Sequence, residues 1–278
     1  MIAFLGMGLL GSNFTRALAK RGEQVAVWNR TLDKARALDG VARIATDPAD
    51  AVRGAARVHL SLSDDAAVDD VLERAAVQPG QVIVDHSTCS VSGTLARAKR
   101  WADRGIAFLH APVFMGPQNA HDATGVRLAS GPRERFDALE PALAAMTGKL
   151  VYLGEAPERA AAFKLSGNLF LMFLTTGVIE MFSFAKGIGI APAEIATIFE
   201  HFNPGATLPA RVKRVLTADH AQPSWELGMA RKDARLMLEA VSSLPMLPAI
   251  AAEMDRWIAK GHAHADWTVL AADALSDS

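Results

Sequence analysis

Two short stretches of this 278-residue chain combine residue types that could do chemistry. In "GMGLLG", Gly6, Gly8 and Gly11 stand at G-x-G-x-x-G spacing, directly after the apolar run "IAFL" and at the start of a helical pattern. In that context Gly6 permits a tight turn, Gly8 lets a ligand approach the backbone, and Gly11 lets the helix pack closely. Free N–H groups at the positive end of a helix then suit a pyrophosphate, with Met7, Leu9 and Leu10 completing the loop. The second stretch is "AFKLSGNLFL", Ala162 to Leu171, where Lys164 opens an otherwise apolar segment and Asn168 follows four residues on. On a helix those two side chains share a face. A buried ammonium is costly and its pKa falls towards neutrality, the condition for a proton shuttle. A lysine in the first turn of a buried helix can also send its ammonium out to solvent, and spacing alone leaves both readings open.

The segment "VWNRT" bears on which nucleotide would bind. A site for NAD(H) ordinarily places Asp or Glu at the end of the second strand, to accept from the ribose hydroxyls. This chain has Asn29 there, followed by Arg30 and Thr31. A carboxylate would repel a 2′-phosphate, whereas an arginine pairs with it through charge-assisted hydrogen bonds. The pattern favours NADP(H) over NAD(H), unless Arg30 is a solvated surface side chain, which would leave the choice open.

These residues need a scaffold to position them. "IAFLG", "QVAVWN", "ARVHLSL", "QVIVDHS", "IAFLHAPV", "VRLASG" and "KLVYLG" read as strands, and Ser12–Arg21, Thr31–Leu38, Asp65–Ala76 and Ser92–Arg104 as helices. Such alternation implies βαβ units and a mostly parallel, doubly wound sheet of Rossmann type. After about Ala156 no convincing strand follows. Helical patterns run over 157–187, 191–201, 208–219, 225–242 and 246–260, punctuated by prolines. The expected class is α/β: a nucleotide-binding domain over 1–157, then an all-helical domain over 158–278 opened by a long buried helix at about 158–187.

Composition narrows the partners. Half of the residues are hydrophobic and the formal net charge is -1. With no basic stripe, nucleic acid is not expected as a partner. Cys89 is the only cysteine, so no intrachain disulfide can form and a cytoplasmic, reducing setting is expected. The N-terminus lacks the charged region of a signal peptide. Leu165 to Ala185 is long enough to cross a bilayer, but it carries Asn168, Thr175, Thr176, Glu180 and Ser183 and has no second span beside it. It reads as the buried axis of a soluble protein with no membrane partner.

Five blocks occur in order along the chain: "FLGMGLLGSN", "DHSTCSVSGT", "APVFMGPQNA", "FKLSGNLFL" and "ARKDARLMLEA". Together they resemble the β-hydroxyacid dehydrogenase family over essentially the whole chain. That family includes 3-hydroxyisobutyrate dehydrogenase and glyoxylate/succinic semialdehyde reductases, and is more distantly related to 6-phosphogluconate dehydrogenase. The resemblance implies an NADP(H)-dependent oxidoreductase moving a hydride between the nicotinamide and a small β-hydroxy acid or its aldehyde or keto partner. It implies that Lys164 exchanges a proton with the substrate oxygen and that Asn168 holds that oxygen and the lysine in register. Ser87 and Thr88 would lie near nicotinamide and substrate, while Gly116 and its neighbours would offer backbone N–H groups to a substrate carboxylate. Leu62 and Ser63 would line the cofactor, and Lys232 would reach it from the helical domain. A site between two domains would be screened from water.

The chain departs from the family pattern in two places. The substrate loop usually reads Ser-Gly-Gly after Pro-Val, but here it is Phe114, Met115, Gly116. A hydroxyl and a flexible glycine have given way to two bulky apolar side chains, so a less polar or differently shaped carbonyl compound is expected, unless Phe114 simply packs into the core. Val91 stands where proline is usual after the Ser-Thr pair, a mild change at a helix start. Imine reductases share the architecture but generally carry another residue at the position of Lys164, so the lysine favours carbonyl chemistry. Imine reduction and a non-catalytic cofactor-binding module remain the alternatives. Cys89, the pair His262 and His264, and the isolated His110, His121 and His201 offer no nucleophile or metal-ligand spacing. Trp257 and Trp267 lie in apolar periodic segments, as core or interface. The apolar surface of the helical half implies a homodimer.

Overall fold

The computed structural model describes residues 1–218 and 220–276. They fall into two compact units, Met1–Leu169 and Phe170–Ser278. The first unit opens with β1 (Ile2–Leu5), α1 (Leu9–Lys20), β2 (Val25–Trp28), α2 (Leu32–Arg36), β3 (Arg43–Ile44), α3 (Pro48–Val52) and β4 (Arg57–Leu60). It continues with α4 (Asp65–Ala75), β5 (Val82–Asp85), α5 (Val91–Asp103) and β6 (Ala107–His110). The six strands pair in the order β3-β2-β1-β4-β5-β6, every pairing parallel. Strands covered by helices on both faces carry near-continuous apolar runs, which is why "IAFL" and "VAVW" are buried at every position. Side-chain caps start α4 and α5: Asp64 accepts from the Ala67 N–H at 2.8 Å and Ser90 from that of Gly93 at 3.0 Å.

The reading "IAFLHAPV" as one strand is corrected. The strand stops at His110, and β7 (Val113–Phe114) begins a separate sheet. Pro112 has no N–H to give a ladder, so the chain leaves the first sheet there. After β7 come α6 (Pro117–Asp122), β8 (Val126–Ala129), α7 (Arg133–Ala144) and β9 (Lys149–Tyr152). Their sheet has the order β7-β8-β9, with β7 antiparallel to β8 and β8 parallel to β9. The short β3, α3 and α6, and the longer α7, have no counterpart in the sequence reading.

Helix α8 (Arg159–Gly187) runs through the boundary between the units. The expectation that it would be a buried axis is also corrected. Within one chain, Ala160, Ala161, Lys164 and Ala185 are its buried residues, while Met172 is 66% and Phe173 61% exposed. The second unit then holds α9 (Pro192–Ala196), α10 (Leu208–Thr217), α11 (Leu227–Ala240), α12 (Leu247–Ala259) and α13 (Ala272–Leu275). Its core gathers Leu227, Ala230, Ala234, Met254, Trp257 and Val269, with Trp267 packed against them. Asp266 staples this unit. Burial alone would raise its carboxyl, but hydrogen bonds from Thr268 and Ser224 outweigh that and hold it well below the usual carboxylate range.

Candidate active site

The parallel sheet reverses its winding between β1 and β4, the place where α/β sheets open a crevice at their C-terminal edge. A cavity of about 440 Å³ lies there, lined by Gly6, Gly8, Leu9, Leu10, Asn29, Arg30, Thr31, Leu62 and Ser63. Trp28, Lys34, Ser61, Asp70 and Arg74 also line it, and sequence reasoning had missed them because they lie outside the glycine and "NRT" motifs. Gly6 has φ +101°, and a Cβ on it would meet the Ser61 carbonyl oxygen at 2.3 Å. At Gly8 a Cβ would meet nothing within 4 Å, so open space faces its backbone, the cradle a pyrophosphate needs. Gly11 serves packing instead, since a Cβ there would collide with the Gly6 carbonyl oxygen at 1.9 Å. The Met7 side chain is buried in the core, and its N–H donates to Asn29 Oδ1 at 2.9 Å.

That bond redefines Asn29. Its Oδ1 takes the Met7 N–H and its Nδ2 donates to the Thr31 carbonyl at 2.8 Å, so the side chain ties the glycine loop to the end of β2. Arg30 and Lys34 stand exposed at the same cavity with no side-chain hydrogen bond or ion pair among the described residues. Two free cations fit a phosphate beyond the pyrophosphate. The residues present therefore fit a phosphorylated dinucleotide.

At the ends of β4 and β5 a second set of contacts fixes the loops. The Leu62 N–H donates to Ser87 Oγ at 2.9 Å, and the Ser87 N–H donates to Asp85 Oδ1 at 2.9 Å. Asp85 is fully buried. Burial would raise its carboxyl, but contacts with His110 and Ser87 more than offset this and lower it. Arg97, also fully buried, bonds Asp69 at 2.7 Å and Asp65 at 2.9 Å and lies 3.8 Å from Asp85. The Arg97 pairs with Asp69 and Asp65 carried no sequence signal, because they join residues 28 and 32 positions apart along the chain. Thr88 is exposed beside Ser87. Cys89 is buried, and burial followed by the nearby Asp85 charge pushes its thiol pKa up, leaving a poor nucleophile.

Lys164 is 9% exposed, and its Nζ donates to Asn168 Oδ1 at 2.9 Å, the pairing expected from their spacing. Burial holds its pKa below the ordinary lysine value. Its ammonium lies 4.1 Å from the centroid of the Phe114 ring. That ring rests against Gly167, where a Cβ would come within 2.3 Å of Cζ. Met115, by contrast, packs against the core of the first unit. The Gly116 N–H, expected to be offered to a substrate carboxylate, is instead donated to Asn119 Oδ1 at 2.9 Å. Lys232 lies in the second unit on α11, where its Nζ pairs with Asp233 at 2.8 Å.

A family model described as the NAD binding domain of 6-phosphogluconate dehydrogenase matches residues 1–154, more than half of the chain. The chain belongs to this family. A curated relative, glyoxylate/succinic semialdehyde reductase 2 of Arabidopsis thaliana, is 28% identical over 279 residues, spanning 95% of this chain and 76% of that one. The cytokine-like nuclear factor N-PAC of Mus musculus is 29% identical over 271 residues, and the match spans 91% of this chain but only 47% of that protein. Among solved structures, a reductive aminase from Aspergillus terreus in complex with NADPH and ethyl levulinate superposes with a TM-score of 0.91 and 20% identity, covering 99% of both chains. At that identity the likeness is one of fold, and it extends through the helical second unit that lies beyond the family's nucleotide-binding domain.

Proposed function

We propose that this chain is an NADP(H)-dependent oxidoreductase of the 6-phosphogluconate dehydrogenase family that uses Lys164 as its proton donor and acceptor. Its substrate would be a small carbonyl compound or the corresponding alcohol, β-hydroxy acids and their aldehyde or keto partners being the class the sequence resembles. NADP(H), when bound along the glycine loop with Arg30 and Lys34 at its extra phosphate, supplies or takes the hydride. Lys164 protonates the carbonyl oxygen in one direction and accepts the alcohol proton in the other. A lowered pKa makes its ammonium a stronger acid near neutrality. Asn168 fixes the amine through Oδ1 and keeps its Nδ2, which has no partner among the described residues, for the substrate oxygen. The observation that carries this reading is the sheltered Lys164–Asn168 pair.

Lys164→Met tests it. NADPH oxidation against a panel of small aldehydes and ketones should collapse while NADPH affinity, read by fluorescence titration, stays the same. Undiminished turnover removes the lysine from the chemistry. A wild-type chain that binds NADPH but reduces none of the panel would instead fit a binding module, and activity confined to imines would fit an imine reductase. The chain would act as a cytoplasmic homodimer, supported by the apolar surface α8 exposes within one chain. Sedimentation equilibrium should give twice the chain mass; a monomer rejects that part of the proposal.

A further inference from the structure

We propose that the Phe114 ring is the wall that sets substrate class: it selects carbonyl compounds bearing an apolar alkyl or aryl group over those bearing a carboxylate near the reacting carbon. The inference rests on Lys164 being the proton donor. The ring covers the ammonium at 4.1 Å and is pressed onto α8 at Gly167, so it occupies the space beside Lys164. A ring face carries negative electrostatic potential, which attracts the ammonium and repels an anion brought to the same place.

The loop also withholds the Gly116 donor expected to receive a carboxylate. The Gly116 N–H is spent on Asn119 Oδ1, and Asn119 is held in turn by a hydrogen bond from its Nδ2 to Thr124 Oγ1 at 2.9 Å. The Met115 side chain carries no donor and is packed against the core. Lys164 itself has three N–H donors. One goes to Asn168, the ring face takes up another direction, and what remains serves a single oxygen. That oxygen is the carbonyl. A substrate carboxylate would find the Gly116 N–H already engaged, whereas an alkyl or aryl substituent gains contact with the ring.

The test compares kcat/KM with NADPH for pentanal and succinic semialdehyde in the full-length wild type, Phe114→Ser and Phe114→Leu, with Tm recorded for each. Wild type should prefer pentanal by about tenfold or more. Phe114→Leu should keep that preference and Phe114→Ser should erase it, by losing pentanal and gaining the semialdehyde. If Phe114→Ser does not fold, the wild-type and Leu ratios decide. A wild type that prefers the semialdehyde, or a folded Phe114→Ser with an unchanged ratio, overturns the wall while leaving the Lys164 reading intact. No turnover of either aldehyde, or full turnover by Lys164→Met, overturns both.

Discussion

Besides Arg97, which is ringed by carboxylates, the first unit holds two buried cations among the described residues, Lys164 on α8 and Arg127 on β8, and they differ in what surrounds them. Both lie over a phenylalanine ring, Phe114 at 4.1 Å and Phe14 at 5.1 Å. Neither has a carboxylate partner among the described residues, and burial lowers the pKa of each, that of Arg127 to about 9. Lys164 keeps 9% of its surface open, and among the described residues the Asn168 amide is its only hydrogen-bond partner. Arg127 is sealed completely, with Nη1 2.5 Å from His86 Nδ1. A guanidinium can only donate, so His86 Nδ1 accepts and its Nε2–H is left to donate to His59 Nδ1, 2.8 Å away. Burial and a depressed pKa are therefore no sign of chemistry by themselves. What separates the two is exposure: Lys164 keeps part of its surface open and Arg127 keeps none.

Exchanging each cation for methionine should split activity from stability. Lys164→Met removes the proposed proton donor and should lower turnover by about 10²- to 10⁴-fold with little change in Tm. Arg127→Met should leave turnover as it is and leave stability unchanged or raised by up to about 2 kcal/mol, because an uncompensated buried cation is removed. His86 is already placed for the exchange: its Nδ1 lies 2.9 Å from the Ala111 carbonyl and can become a donor to it once Arg127 is gone. Urea unfolding at neutral pH checks this. Above about pH 9 the unfolded arginine binds more proton than the folded one, so wild-type stability should recover on Arg127→Met as pH rises beyond that value. A loss above about 1 kcal/mol in Arg127→Met at neutral pH would show that the sealed cation organises the core.

The same contrast marks how much could be read from the sequence. The glycine loop was legible because its three residues are local and their strand-loop-helix context is local too. The Lys164–Asn168 pair was legible for a similar reason: a helix brings residues four apart together, and the hydrogen bond is there. The Arg127 network was not, since it joins residues 27 and 41 positions apart that only the assembled sheets bring into contact. Asn29 was legible as a departure from the usual acid, but its role as a staple between loop and strand needed the Met7 and Thr31 contacts. The hydrophobicity of α8 was plain, yet composition does not say whether an apolar helix is covered by its own chain. Much of this one is not. In the 113–116 loop the identity of Phe114 and Met115 suggested two apolar side chains in a pocket, whereas one faces the lysine and the other packs against the core.

What shelters Lys164 can be tested through the residue beneath its ring. Alanine in place of an exposed helical glycine ordinarily stabilises by about 1 kcal/mol. At Gly167 the new methyl would meet the Phe114 ring at 2.3 Å, so the ring must leave its seat over the ammonium or the helix must shift. Gly167→Ala should therefore destabilise by about 1–3 kcal/mol, an overpacking cost. In a Phe114→Ala background the same substitution has room and should revert to its ordinary gain. The two effects have opposite sign, so the double-mutant cycle should return a coupling of about 2 kcal/mol or more between positions 114 and 167. Additive effects would mean that the ring does not sit on Gly167, and the wall beside Lys164 would have to be sought elsewhere. Coupling that appears in Tm but leaves the pentanal-to-semialdehyde ratio untouched would place the ring on the helix without giving it a hand in selection.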